Sequence, residues 1–96
     1  MPIPESRCHG FVSGVVQGVG FRYFVVDVAA EAGAVGWVRN RRDGRVEFIA
    51  EGTTAGLQEL LTQVRRGPLG SRVDHIEEAW GQPTGEFQVF RVERTA

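Results

Sequence analysis

The segment SGVVQGVGFRYF, Ser13 to Phe24, sets three glycines, Gly14, Gly18 and Gly20, within seven residues and follows them with Arg22 at the head of an apolar-periodic run. Glycines let successive backbone amides turn to one side of a loop, and a helix amino end presents unpaired N–H groups and partial positive charge. The combination suits a phosphate or other dianion held in the loop from Gly14 to Gly20. Arg22 points the same way. A cation in the first helical turn opposes the helix dipole by about 0.3–1 kcal/mol, and an anion beside it removes the conflict while receiving a two-pronged guanidinium contact. Asn40 is the third candidate, an uncharged amide that holds a water by donating and accepting at once.

Taken singly, each feature has an ordinary structural reading. A glycine-rich strand-to-helix connection is often only a tight turn, a lone arginine a solvated surface residue, and an asparagine beside RRDG a turn former. The loop also lacks what nucleotide sites need. No Gly-Lys-Ser/Thr follows it, and Gly18-Val19-Gly20 has neither the third glycine nor the downstream acid of a dinucleotide fold. ATP and NAD are not indicated.

Positioning these residues requires particular elements. RCHGFVS alternates as a strand ending at Gly14, and Phe21, Phe24, Val25, Val28, Ala29 and Ala32 form an amphipathic helical stripe that Gly33 is placed to stop. AVGWVRN and RVEFIAE read as a hairpin joined through Asp43-Gly44, with a type I′ turn expected. In the second arm Val46, Phe48 and Ala50 share one face, and Arg45, Glu47 and Glu51 share a solvent face. A second helix is expected from Thr54 as its cap, with Leu57, Leu60, Leu61 and Val64 on its buried stripe, followed by strands in SRVDHIEEAW and EFQVFRVE. The order βαββαβ plus a further C-terminal strand predicts an α+β, ferredoxin-like sandwich with two helices on one face of a mostly antiparallel sheet. Right-handed crossover makes the first two strands parallel with the third between them. Their carboxyl ends, carrying the loop and Asn40, then lie on one edge roughly 10 Å apart.

Composition narrows the setting. Ninety-six residues suit one domain, and a net charge of −1 argues against a dedicated nucleic-acid binder. No apolar run reaches the length of a membrane span and no basic-then-apolar leader is evident, so a cytoplasmic, monomeric protein is expected. The single cysteine, Cys8, is read as a packed strand residue, and His9 and His75 as half-exposed strand residues with no company for a metal. Trp37 is read as sheet-face packing or as a wall for a ligand near Asn40. The cluster Arg39, Arg41, Arg42 and Arg45 is read as a solvated hairpin that also raises local anion concentration.

Together GVVQGVGFRYF, GWVRNRRDGRVEFIAEG and GPLGSRVDHIE resemble the acylphosphatase family, in order and spacing, from about Arg7 to Phe90. Gly10 and the tail beyond Phe90 are the departures. The resemblance implies a single domain over residues 1–96, loose over 1–6, that hydrolyses acyl phosphates to a carboxylate and inorganic phosphate without metal or cofactor. It further implies that the loop amides from Val15 to Gly20 and Arg22 hold the phosphoryl group, and that Asn40 orients the attacking water. Gln17 is assigned to loop structure. Two other readings stay open: a small-ligand regulatory module on the same fold, and an RNA-recognition domain, whose element order matches but whose Gly-aromatic run belongs on the third strand rather than in the first loop.

Overall fold

The computed structural model describes residues 3–96 as β1 (Ser6–Val15), α1 (Phe21–Glu31), β2 (Val35–Asn40), β3 (Val46–Gly52), α2 (Thr54–Arg66), β4 (Arg72–Gly81) and β5 (Phe90–Val92). The sheet order is β4-β1-β3-β2-β5. β3 runs antiparallel to both β1 and β2, which are therefore parallel to each other, and β5 joins β2 in parallel. This is the expected α+β, ferredoxin-like arrangement. Among the described residues no helix is long and apolar enough to cross a membrane.

The core lies between the sheet and the helix layer. From the strands it takes Cys8, Val12, Val38, Val46, Phe48 and Ala50; Phe21, Val25, Val28 and Ala29 come from α1, and Leu57, Leu60, Leu61 and Val64 from α2. Helix periodicity and strand alternation thus converge on one apolar layer. Burial pushes the Cys8 thiol up to about 12, as befits a packed and unreactive side chain. Gly10, a departure from the family pattern, is explained by its cross-strand partner Phe48. A Cβ built on Gly10 would stand 2.4 Å from Phe48 Cζ, so the missing side chain is what admits the ring.

Several expectations are corrected. The hairpin turn is not type I′, because every non-glycine residue keeps negative φ among the described residues, and in the 41–45 loop Gly44 alone is positive, at 97°. Gly44 N–H donates to the Arg41 carbonyl at 3.1 Å and Arg41 N–H to the Arg45 carbonyl at 2.8 Å, closing a longer loop in which glycine alone takes the left-handed step. The cap of α2 is Thr53, not Thr54; its hydroxyl accepts from Gly56 N–H at 2.9 Å. Of the start expected to be loose, Met1 and Pro2 lie outside the described residues. Glu5 N–H, however, donates to the Gly52 carbonyl, and Ser6 already belongs to β1.

The solvent face expected for β3 is also absent: all seven of its residues are buried, Glu47 and Glu51 included. The strand read in EFQVFRVE shortens to Phe90–Val92. Upstream of it the chain folds over the outer sheet face, and the Glu51 carboxylate accepts from Thr84 N–H at 2.9 Å, Thr84 Oγ1 at 3.0 Å and Gly85 N–H at 3.0 Å. Beyond β5 the tail continues along β2 through Glu93 N–H to the Val38 carbonyl and Ala96 N–H to the Asn40 carbonyl.

Gly10→Val should destabilise the fold by about 1–3 kcal/mol through overpacking against Phe48. Urea unfolding should show this as a lower midpoint at unchanged slope, and an unshifted midpoint would refute the packing account.

Candidate active site

The two helices begin differently. At α2, Thr53 serves the Gly56 amide and the Glu5 carboxylate accepts from Thr54 N–H at 3.0 Å. At α1 the cap position is Gly20, in a left-handed conformation (φ 75°, ψ 20°), with no side chain to cap and no acidic residue in the first turn. The first intrahelical bond runs from Phe24 N–H to the Gly20 carbonyl at 3.1 Å. Among the described residues, the amides of Gln17 to Tyr23 have no protein acceptor. Four such donors are left at any helix start and are normally capped or hydrated. Here the end is open and electropositive.

The loop owes its shape to Gly18 and Gly20, at φ 74° and 75°. A Cβ at either would meet nothing within 4 Å, so backbone conformation rather than crowding demands glycine, and the loop's outer side is accessible. Val15 is the last residue of β1, paired with Arg72. Val16 anchors the loop by burying its side chain in the core, while Val19 packs partly against that core. Gln17 ties the loop to its neighbour: its Nε2 donates to the carbonyls of Arg41 at 2.7 Å and Arg45 at 2.9 Å. The side chain thereby spans from the loop to the hairpin that follows Asn40.

Arg22 lies in the first turn of α1, its guanidinium 5.8 Å from the centre of the Tyr23 ring. Arg7, Arg39, Arg41, Arg45, Arg65 and Arg72 pair with carboxylates, whereas among the described residues Arg22, like Arg42, Arg66, Arg91 and Arg94, pairs with none. Asn40 ends β2 in a cross-strand row with Val46 and Val12, both fully buried core residues. Alternation with Val38 places Asn40 on the face that the helices cover. Its Oδ1 is buried and accepts no hydrogen bond from the described residues. Left dry, such an oxygen costs about 1–3 kcal/mol. The topology therefore brings the loop, Arg22 and Asn40 to one end of the sheet. Trp37 does not join them: it lies on the opposite face, with Arg39 stacked 4.6 Å from its ring centre.

The other sheet face holds residues that sequence reasoning missed as a group. Glu47 pairs across the sheet with Phe11 on one side and Arg39 on the other. Its carboxylate accepts from His9 at 2.5 Å, Arg39 at 2.8 Å and Arg41 at 3.1 Å. Glu51 meets Arg7 at 2.8 Å besides the 84–85 backbone. Burial alone would push both carboxyls up. For Glu47 the bonds from His9 and Arg39 win, and for Glu51 those from Thr84, Gly85 and Arg7, so both rest below the usual carboxylate range. The arginines read as a solvated hairpin are thus partly an ion network. The signal was the odd-numbered charges at 39, 41, 45, 47 and 51, which alternation groups on one face.

Comparison with known proteins accords with this fold. Residues 8–92 match the family model described as Acylphosphatase. An acylphosphatase of Koribacter versatilis is 48% identical over 91 residues, covering 95% of this chain and 82% of the relative. One from Chloroflexus aurantiacus is 45% identical over 86 residues, covering 90% and 94%. The crystal structure of acylphosphatase from Bacillus subtilis superposes with a TM-score of 0.89 at 39% identity, covering 92% of this chain and 98% of that one. The chain belongs to the acylphosphatase family, enzymes that hydrolyse acyl phosphates.

Two outcomes follow. Gln17→Met should free the hairpin from the loop and speed amide hydrogen exchange at Arg41 and Gly44, whose bonds end on the Arg45 and Arg41 carbonyls that Gln17 also holds, by roughly tenfold, for about 1 kcal/mol of lost tethering. Unchanged exchange would show that the hairpin holds its shape without Gln17. Because the Glu51 carboxyl is depressed in the folded chain, the stability it contributes is present above the ordinary glutamate range near about 4.3 and is lost as pH falls through the folded value. Glu51→Gln, which leaves Arg7 and Glu86 facing each other without it, should make the acid-side fall of the urea midpoint shallower than in the parent. Parallel profiles would contradict that linkage.

Proposed function

We propose that the amides from Val15 to Gly20, together with the Arg22 guanidinium, hold the phosphoryl group of an acyl phosphate, and that Asn40 orients the water that attacks phosphorus. The observation that carries this reading is the pairing of two incomplete groups at one end of the sheet. The amino end of α1 has neither cap nor acidic neighbour, and Arg22 in its first turn has no carboxylate partner among the described residues. The buried Oδ1 of Asn40 at the end of β2 accepts no hydrogen bond from them.

The chemistry asks for little beyond these groups. The phosphoryl group passes through a loose transition state whose charge spreads over its equatorial oxygens, so positioning and charge stabilisation dominate. Loop amides and Arg22 meet those oxygens with preorganised donors. Asn40 Oδ1 accepts from the attacking water and aims its oxygen at phosphorus in line with the departing carboxylate. The new P–O bond forms as the bond from phosphorus to the acyl oxygen breaks, and the leaving carboxylate takes the bonding pair. The water's proton passes to a phosphate oxygen of the substrate, giving carboxylate and inorganic phosphate. A carboxylate leaves readily without protonation, so no general acid is required. The reaction proceeds without a metal ion.

The test is hydrolysis of benzoyl phosphate in the presence of a metal chelator, with variants confirmed folded by circular dichroism. The parent should turn over far above background. Arg22→Ala should lower kcat at least about 100-fold and raise KM, while Asn40→Ala should lower kcat to a similar degree with KM nearly unchanged. A chelator-sensitive parent would remove the metal-free mechanism. Full activity in either folded variant would remove that residue's role, and a folded parent no faster than background would leave the loop as a phosphate-binding module only.

A further inference from the structure

The sheet face turned away from the helices carries a buried carboxylate that the chemistry above leaves unused. The Glu47 side chain is only 4% exposed, yet it lies among three basic groups. One oxygen accepts from His9 Nε2; the other accepts from both Arg39 Nε and Arg41 Nη1. Burying a carboxylate is costly even when it is paired, and an apolar residue of similar volume often serves stability as well. Its value is better sought in what it holds.

Arg39 and Arg41 are the residues on either side of Asn40. Strand alternation sends their side chains to the outer face and that of Asn40 to the helix-covered face. Holding both flanking guanidinium groups on a single carboxylate oxygen fixes the local pleat and twist of β2, and with them the direction in which Asn40 projects. Arg41 is fixed a second time, since its carbonyl accepts from Gln17 Nε2 at 2.7 Å, and its guanidinium lies 5.9 Å from the Phe11 ring centre. Contacts therefore run from Glu47 through the Arg41 side chain to its main chain, and from there to the loop through Gln17 and to Asn40 through the peptide bond.

We propose that Glu47 is a positioning residue for hydrolysis: by gathering Arg39 and Arg41 on one oxygen behind the sheet, it sets the orientation of Asn40 in front of it. The proposal rests on the reading of Asn40 as the water-orienting group. It assigns Glu47 no contact with substrate.

The experiment measures kcat and KM for benzoyl phosphate, and inhibition by inorganic phosphate, in Glu47→Gln and Arg41→Met. Each is made in the parent and in the Asn40→Ala background, with folding checked by circular dichroism and urea unfolding. Arg41→Met removes the guanidinium but leaves the main-chain carbonyl that Gln17 uses. In the parent each variant should lower kcat about tenfold, the scale of a small misplacement of a reacting group. KM and phosphate inhibition should stay within about twofold, since the phosphate contacts are untouched. In the Asn40→Ala background neither should cost more than about a further twofold, because the group they act through is gone. A folded variant with parental kcat overturns the proposal, and so does a loss that persists in full without Asn40, as a merely structural contribution would. If Glu47→Gln does not fold, Arg41→Met decides by the same criteria. Parental turnover by Asn40→Ala alone would sink the Asn40 reading and this proposal with it. A normal Asn40→Ala loss beside silent Glu47 and Arg41 variants would sink the positioning role alone.

Discussion

The antiparallel insertion of β3 between β1 and β2 is the constraint from which the rest follows. It makes β1 and β2 parallel without any direct contact between them and delivers both carboxyl ends to one edge of the sheet. The helix that follows β1 must cross the sheet to reach β2, so its amino end starts at that same edge. Glycine-rich loop, electropositive helix start and Asn40 meet because of connectivity, before any side chain is considered. With strands about 4.8 Å apart, one intervening strand sets the ends of β1 and β2 roughly 10 Å from each other.

A central strand must also be covered on both faces. The helices cover one face of β3 with hydrocarbon, while short helix-free segments and arginine side chains cover the other. Carboxylates at Glu47 and Glu51 are buried there, each satisfied by several donors. Such networks specify geometry more strictly than apolar packing does, since a half-satisfied buried carboxylate is strongly disfavoured. At the Glu51 end the network fastens the 84–85 backbone, and at the Glu47 end it fastens the segment carrying Asn40. Arginine suits this duty because its planar fork pairs with carboxylates while its face stacks on rings, as Arg39 does on Trp37 and Arg45 on Phe11.

Much of this was legible in the residues. The helical stripe of α1, the leucines of α2 and the alternation of β3 set the element order, and Gly18, Gly20, Arg22 and Asn40 stood out by type and spacing. What could not be read was whatever depends on register or on distant chain. Glu47 and Glu51 looked solvent-exposed because alternation reports faces, not what later segments cover them. The Asp43-Gly44 pair named a hairpin correctly, but the loop length was set by the Arg41–Arg45 pairing. EFQVFRVE has strand-like composition, yet Thr84 and Gly85 are drawn to Glu51, and pairing with β2 begins only at Phe90. Gly10 made no sense until Phe48 was placed opposite it. Gln17 was read as a loop residue, and its actual partners lie on a hairpin more than twenty residues away.

The pairing of distant segments has a consequence for how the molecule comes into being. Ser6 pairs with Gly52 and Gly36 with Phe90, so the sheet is closed by contacts that span roughly half the chain. Long loops must lose their entropy before such contacts repay it, which slows folding relative to helical domains of similar size. The loop after β1 and the amide at the end of β2 face one another only once β3 has joined both strands. A growing chain that has just completed α1 already carries every glycine of the loop but lacks the strand end that the loop must meet; the candidate site is assembled late, by the sheet as a whole.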